Sequence, residues 1–197
     1  APNINFTSID ASCYGGSDGS IDLSISGGNG PFNFLWNTSD TTEDITNLSI
    51  GTYTYTITDD NGCIFSDTAS ISQPAPLNAS TVTTNVACAN DNNGTAILTI
   101  AGGITPYIEN WGSSNPLALN AGIHTFIITD DNGCIFTDSI TITEPPTLLV
   151  NYTTTNALCN GSSNGTAILN ISGGVSPYNQ DWGINNPLAL NAGAYNF

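Results

Sequence analysis

Cysteine and aspartate are the residues of this chain with the clearest chemistry to offer. Its 197 residues include five cysteines, sixteen acidic residues, one histidine and no lysine or arginine. Thiols can ligate metals, attack carbonyls or pair as disulfides. No enzyme signature accompanies these five, so they read as disulfide partners in an oxidising compartment. The pairs Asp59-Asp60 and Asp130-Asp131 each precede Asn-Gly and are the candidate calcium ligands, through carboxylate and carbonyl oxygens. No other cofactor is implied. His124 is the one imidazole base, and no nucleophile recurs beside it. Trp36, Trp111 and Trp182 could stack on sugar rings, but each follows a Gly-Gly turn and a strand, where a sandwich places its core aromatic. The chain reads as a non-enzyme.

The elements that must position these residues repeat. From Thr52 to Thr58 the sequence alternates strictly, with Tyr53, Tyr55 and Ile57 on one face and threonines on the other, the period of a half-buried strand. Asp59-Asp60-Asn61-Gly62 then supplies a tight turn, and Cys63-Ile64-Phe65 begins the returning strand. Gly122 to Cys134 restates this hairpin, 134 − 63 = 71 residues later, and Gly193-Ala194-Tyr195-Asn196-Phe197 begins it a third time. Cys13, Cys88 and Cys159 recur at intervals of 75 and 71, as do the Gly-Gly pairs at 27, 102 and 173 and the three tryptophans. Three repeats follow: residues 1–75, 76–146 and 147–197, the last truncated before its second cysteine.

Six strands are expected in the first repeat: Ile4–Ser12, Ser20–Ser26, Phe32–Trp36, Ile45–Leu48 and the two arms of the hairpin. Ile21, Leu23 and Ile25 face the core, as do Ala96, Leu98 and Ile100 in the second repeat and Ala167, Leu169 and Ile171 in the third. Many short strands with Gly and Pro turns predict an all-β fold of tandem immunoglobulin-like β-sandwiches, each about 70 residues long. His124 aligns with Tyr53 and Tyr195, two places after the glycine that opens the strand, the position of a tyrosine corner. The joints Gln73-Pro74-Ala75-Pro76 and Glu144-Pro145-Pro146 read as short stiff spacers, giving beads on a string.

Repeats this small bury little core, so a staple is expected. If six strands alternate up and down, the first and fifth turns share one end. Cys13 sits just before the first turn and Cys63 just after the fifth, which predicts the pairs Cys13–Cys63 and Cys88–Cys134. On the chain-entropy model, each such bridge contributes about 4 kcal/mol. Cys159 would find its partner near 159 + 46 = 205, past the end of the chain at Phe197. The rival scheme, Cys63–Cys88 with Cys134–Cys159, has to fold a whole strand and a proline linker back on itself.

Composition removes other classes. With no basic side chain, the chain cannot neutralise phosphates, so nucleic acid is excluded as a partner and attraction to anionic lipid with it. No apolar run approaches the roughly 18 residues of a membrane span, so direct membrane insertion is not expected. No basic, apolar leader precedes the first repeat, so any signal peptide is removed or lies outside this sequence. A surface of Thr, Ser and Asn with scattered acids suits an extracellular protein. The threonine face of Thr52, Thr54, Thr56 and Thr58 does not persist as an ice-binding ladder, because Ile123 and Ile127 interrupt it in the second repeat.

Each repeat therefore runs Cys…Gly…Gly-Gly…Pro-Phe/Tyr…Trp…Gly-x-Tyr/His, and the two complete ones continue to Thr-Asp-Asp-Asn-Gly-Cys and a proline-rich end. This pattern resembles the SprB repeat of large Bacteroidota surface adhesins, exported by the type 9 system and in some members linked to gliding. The resemblance implies a secreted, cell-surface stalk or spacer segment whose partners are neighbouring repeats of its own chain, surface glycans or other cell-surface proteins. A subunit of a self-assembling extracellular filament and a carbohydrate-binding module are the alternatives. The triplets at Thr41, Thr68 and Ser139, each preceded by aspartate, resemble the Bacteroidota O-glycosylation signal and are candidate glycan sites.

Overall fold

The computed structural model describes residues 2–196; Ala1 and Phe197, the outer bounds of the first and third expected repeats, lie outside the described residues. The described residues form thirteen strands and no helix. The chain divides into two compact units. One comprises Ala1–Ser80, Leu98–Gly112 and Thr125–Asp138, the other Thr81–Ile97, Ser113–His124 and Ser139–Phe197. The first repeat lies in the former, the third in the latter, and segments of the second belong to each.

The first repeat is a sandwich of two three-stranded antiparallel sheets. Strands β1 (Asn3–Ile9), β2 (Gly19–Ser26) and β4 (Ile45–Leu48) form one, in the order β1-β2-β4. Strands β3 (Asn33–Trp36), β5 (Gly51–Thr58) and β6 (Ile64–Ile71) form the other, in the order β3-β5-β6. The alternation in the sequence decides which faces meet. Ile21 and Leu23 of β2 and Tyr55 and Ile57 of β5 are buried, and the intervening residues point outward. They close a core with Trp36, Ile45, Leu48, Ala69 and Ile71. Trp36 and Tyr55 pack with ring centroids 5.2 Å apart. The expected strands and inward residues are found within a few residues of their predicted places.

One expectation about direction fails. β4 runs antiparallel to β2, and β3 leaves the turn that follows β2, so β3 and β4 run the same way. The chain crosses from one sheet to the other between them without reversing. Two backbone hydrogen bonds mark the outcome. Ala11 donates to the Ser72 carbonyl at 3.0 Å, setting the end of β6 beside Cys13. Asp60 donates to the Asn29 carbonyl at 2.9 Å, setting the β5–β6 hairpin, with Cys63, beside the turn after β2. The first and fifth turns therefore occupy opposite ends of the sandwich.

The second repeat contributes β7 (Asn78–Thr84) paired with β8 (Thr95–Ala101), and the sheet β9 (Ile108–Asn110), β10 (Gly122–Thr129) and β11 (Ile135–Ile142) in the order β11-β10-β9. Trp111 and Phe126 pack with centroids 5.0 Å apart, the counterpart of Trp36 and Tyr55. In place of a fourth strand, a single bridge joins Gly94 to Leu119. The third repeat forms β12 (Leu149–Thr155) paired with β13 (Thr166–Ser172), a bridge from Gly165 to Leu190, and a small core of Ala167, Trp182 and Leu190. Ala96 and Ala167 are buried with Leu98, Ile100, Leu169 and Ile171 partly so, as the alternation predicts.

Candidate functional site

The site with built chemistry lies where the first-repeat turn meets the hairpin of the second repeat, all within one compact unit. Cys13 is disulfide-bonded to Cys134, with S–S 2.04 Å, Cα atoms 5.7 Å apart and 121 residues between them in sequence. This replaces the expected pairs Cys13–Cys63 and Cys88–Cys134. Among the described residues Cys63, Cys88 and Cys159 are free thiols, and all three are exposed. The physical reason is the same-direction passage from β3 to β4. It sends Cys63 to the far end of its own sandwich, out of reach of Cys13. The corresponding end of the second repeat brings Cys134 to Cys13 instead.

The hairpin that carries Cys134 is rigid because Asp130 braces it. Its buried carboxylate accepts from Cys134 N–H at 2.8 Å through Oδ1 and from Ile104 N–H at 2.9 Å through Oδ2. Gly133 takes the left-handed conformation, φ 82°, and donates to the Asp130 carbonyl. In the first repeat Asp59 does the same, its Oδ1 accepting from Asn61 N–H at 3.0 Å and Cys63 N–H at 2.8 Å. A buried carboxylate must be satisfied in this way. Asp59 and Asp130 therefore have a local structural role, while Asp60 and Asp131 are exposed. Among the described residues no group of three or more His, Cys, Asp or Glu side chains is placed to hold a metal ion.

The receiving turn is braced as closely. Asp18 Oδ1 accepts from Ser12 N–H at 3.0 Å, and hydrogen bonding from Ser12, side chain before backbone, holds the Asp18 carboxyl below its ordinary range. Asn93 and Asn164 play this part for Ala87 and Leu158, each at 3.0 Å. The sequence reading missed this recurrence because it looked for acids, whereas the turn needs only an oxygen acceptor, which Asp and Asn both supply. Gln73 likewise accepts from Gly15 N–H at 2.9 Å and Glu144 from Asn90 N–H at 2.7 Å, an equivalence of 144 − 73 = 71 positions.

Between hairpin and turn, Asn132 Nδ2 donates to the Ser12 carbonyl at 2.8 Å. The joint is packed in as well: Gly103 donates to the Ala75 carbonyl at 2.9 Å, and a Cβ on Gly102 would stand 2.0 Å from the Pro76 carbonyl oxygen. Gln73-Pro74-Ala75-Pro76 is thus a joint held against the Gly-Gly turn of the second repeat.

The remaining candidates are placed as follows. Trp36, Trp111 and Trp182 are buried, so none offers a face to a sugar. Tyr53 and Tyr195 donate to the carbonyls of Ser49 and Asn191 at 2.8 and 2.9 Å, each four residues back. His124 does so from Nε2 to Asn120 at 2.9 Å, since a carbonyl can only accept, and its Nδ1 lies 3.1 Å from Ser114 Oγ. The ring is buried and takes the corner position of its half-buried tyrosine counterparts. Thr41, Thr68 and Ser139 are exposed.

The family model described as SprB repeat matches residues 5–41, 80–108 and 151–182, one segment in each repeat. No curated protein matches the chain. The matched segments begin on the first strand of their repeat and take in the braced turn, with Cys13, Cys88 and Cys159 at its head. The chain carries three SprB-repeat segments, one in each of its repeats.

Proposed function

We propose that this chain is a non-enzymatic stalk or spacer segment of a large, secreted cell-surface adhesin of the type 9 and gliding-associated kind. The SprB match supports a repeat segment of a surface adhesin, and the disulfide is in keeping with an extracellular setting. The observation that carries the stalk reading is the Cys13–Cys134 clasp. A bond from one repeat to the next, with an interlocked proline joint beside it, transmits load through covalent chemistry rather than through a core alone.

Load tolerance matters because each sandwich is small and the chain has no lysine or arginine from which to build ion pairs. Glycans on exposed Thr41, Thr68 and Ser139 would add protection against proteolysis. Burial of the three tryptophans removes them as a stacking platform for a carbohydrate-binding module.

The test is the mass of the native polypeptide isolated from its source, before and after deglycosylation. A polypeptide many times the mass of this chain is expected. One scarcely longer than this chain would overturn the stalk and favour a filament subunit.

A further inference from the structure

The clasp hairpin carries a reactive group that its bracing does not use. In Asn132-Gly133 the side-chain amide is followed by a backbone nitrogen that no Cβ shields, so the nitrogen can attack the amide carbon. The chain supplies its own reference for this pair. Asp59-Asp60-Asn61-Gly62-Cys63 repeats Asp130-Asp131-Asn132-Gly133-Cys134 residue for residue. Gly62 donates to the Asp59 carbonyl at 2.9 Å and Gly133 to that of Asp130 at 3.0 Å, with φ 80° and 82° at the glycines. Each buried aspartate accepts from its cysteine N–H at 2.8 Å. Asn61 and Asn132 are both exposed, so water reaches each.

The two hairpins differ in what holds the amide. Asn132 Nδ2 donates to the Ser12 carbonyl at 2.8 Å, and two residues on the chain is tied to Cys13 through the disulfide. Among the described residues Asn61 has a partner only for its backbone N–H, which donates to Asp59 Oδ1, and Cys63 is a free thiol. Ring closure requires the asparagine Cγ to turn onto the nitrogen of the following glycine. At Asn132 that motion competes with the bond to Ser12, and a net hydrogen bond amounts to about fivefold in population.

We propose that Asn132-Gly133 is a deamidation site that the clasp keeps latent. Gly133 N attacks Asn132 Cγ, a C–N bond forms, and Nδ2 leaves as ammonia with the proton from Gly133. Water then opens the cyclic imide at either carbonyl, leaving aspartate or isoaspartate. Water enters, ammonia leaves, and no electrons are exchanged.

The product cannot rebuild the clasp as it was. A carboxylate at position 132 has no hydrogen for the Ser12 carbonyl, so two acceptors face each other. It also follows Asp130 and Asp131 in a chain with no lysine or arginine to offset a third charge. Isoaspartate adds a backbone carbon and lengthens the turn. A clasp that stays oxidised keeps its amide; one that is reduced and left open loses it one way.

The experiment ages the 197-residue chain in mildly alkaline buffer, once with the disulfide intact and once after reduction and capping of the thiols with iodoacetamide. Mass spectrometry of chymotryptic peptides scores aspartate and isoaspartate at both sites. With the clasp closed, Asn132 should react at least about fivefold more slowly than Asn61 in the same molecules. With it open, Asn132 should rise to the Asn61 rate while Asn61 is unchanged. Equal rates with the clasp closed would overturn the proposal, as would an Asn132 that stays slow once it is open. If opening also speeds Asn61, the unit itself has loosened, and Asn132→Asp in the oxidised chain decides. Its clasp should shift about fivefold toward the open dithiol in a dithiothreitol redox buffer, and an unshifted equilibrium would overturn the proposal.

Discussion

Replacing Cys134 with serine cuts the covalent link between two repeats while changing one side-chain atom. On the chain-entropy model, releasing a loop of 121 residues costs about 5 kcal/mol. With a urea slope of about 2 kcal/mol per molar, the unfolding midpoint of the affected unit should fall by about 2 M. That magnitude alone does not distinguish the observed bridge from the within-repeat pair Cys88–Cys134. Closing 134 − 88 = 46 residues rather than 121 changes the entropic figure by less than about 1 kcal/mol. A thiol count does distinguish them. The clasp leaves 5 − 2 = 3 free thiols in the native monomer, whereas two within-repeat bridges leave 5 − 4 = 1. Titration with a chromogenic disulfide should therefore return three, from exposed Cys63, Cys88 and Cys159. In Cys134→Ser the additional reactive thiol should be Cys13. Peptide mapping needs chymotrypsin or an acid-specific protease, since trypsin finds no site. One free thiol, or a peptide linking Cys13 to Cys63, would refute the reasoning from strand direction.

Further substitutions probe the parts that hold the clasp in place. A Cβ on Gly94 would lie 2.8 Å from Ile142 Cγ2 and 2.9 Å from the Leu119 carbonyl oxygen, so Gly94→Ala should destabilise by about 1–3 kcal/mol in denaturant unfolding; an unchanged midpoint would contradict the packing. Asp18 is held below its ordinary carboxyl range by Ser12, so the stability it adds is present above the unfolded value and lost as pH falls through the lower folded one. Asp18→Asn keeps the oxygen acceptor, as Asn93 does, and should fold normally while losing that acid dependence, and NMR titration of the wild-type carboxyl checks the direction of the shift. His124→Tyr should cost under about 1 kcal/mol, because Tyr53 and Tyr195 make the same bond, whereas His124→Phe leaves the Asn120 carbonyl without its donor and should cost more. Equal thermal midpoints for the two variants would sink the corner assignment.

Repeat boundaries, strand positions and the inward faces are legible in the sequence because each rests on local information. Alternation with period two marks Ile21, Leu23, Tyr55 and Ile57 as core, and Asn-Gly fixes the hairpin whatever surrounds it. The recurrence of the Cys, Gly-Gly and Trp landmarks marks out the three repeats, and their pattern resembles the SprB repeat. The two aspartates before each Asn-Gly are legible in the sequence, and their residue type allows calcium; the fold adds that the first of each pair is buried and bonded to N–H groups of its own turn.

Cysteine pairing lay beyond the sequence for a related reason. Which end of a sandwich a turn occupies depends on the direction of every strand before it, and the passage from Trp36 to Ile45 carries no residue pattern that says whether the chain reverses. A single missed crossing exchanges the ends and turns an internal staple into a bond between neighbours. Sequence alone thus determined the repeats, their strands and their cores, through interactions spanning a few residues. Tertiary structure decided which cysteines meet, because that depends on the path of the whole repeat and on what lies against its end.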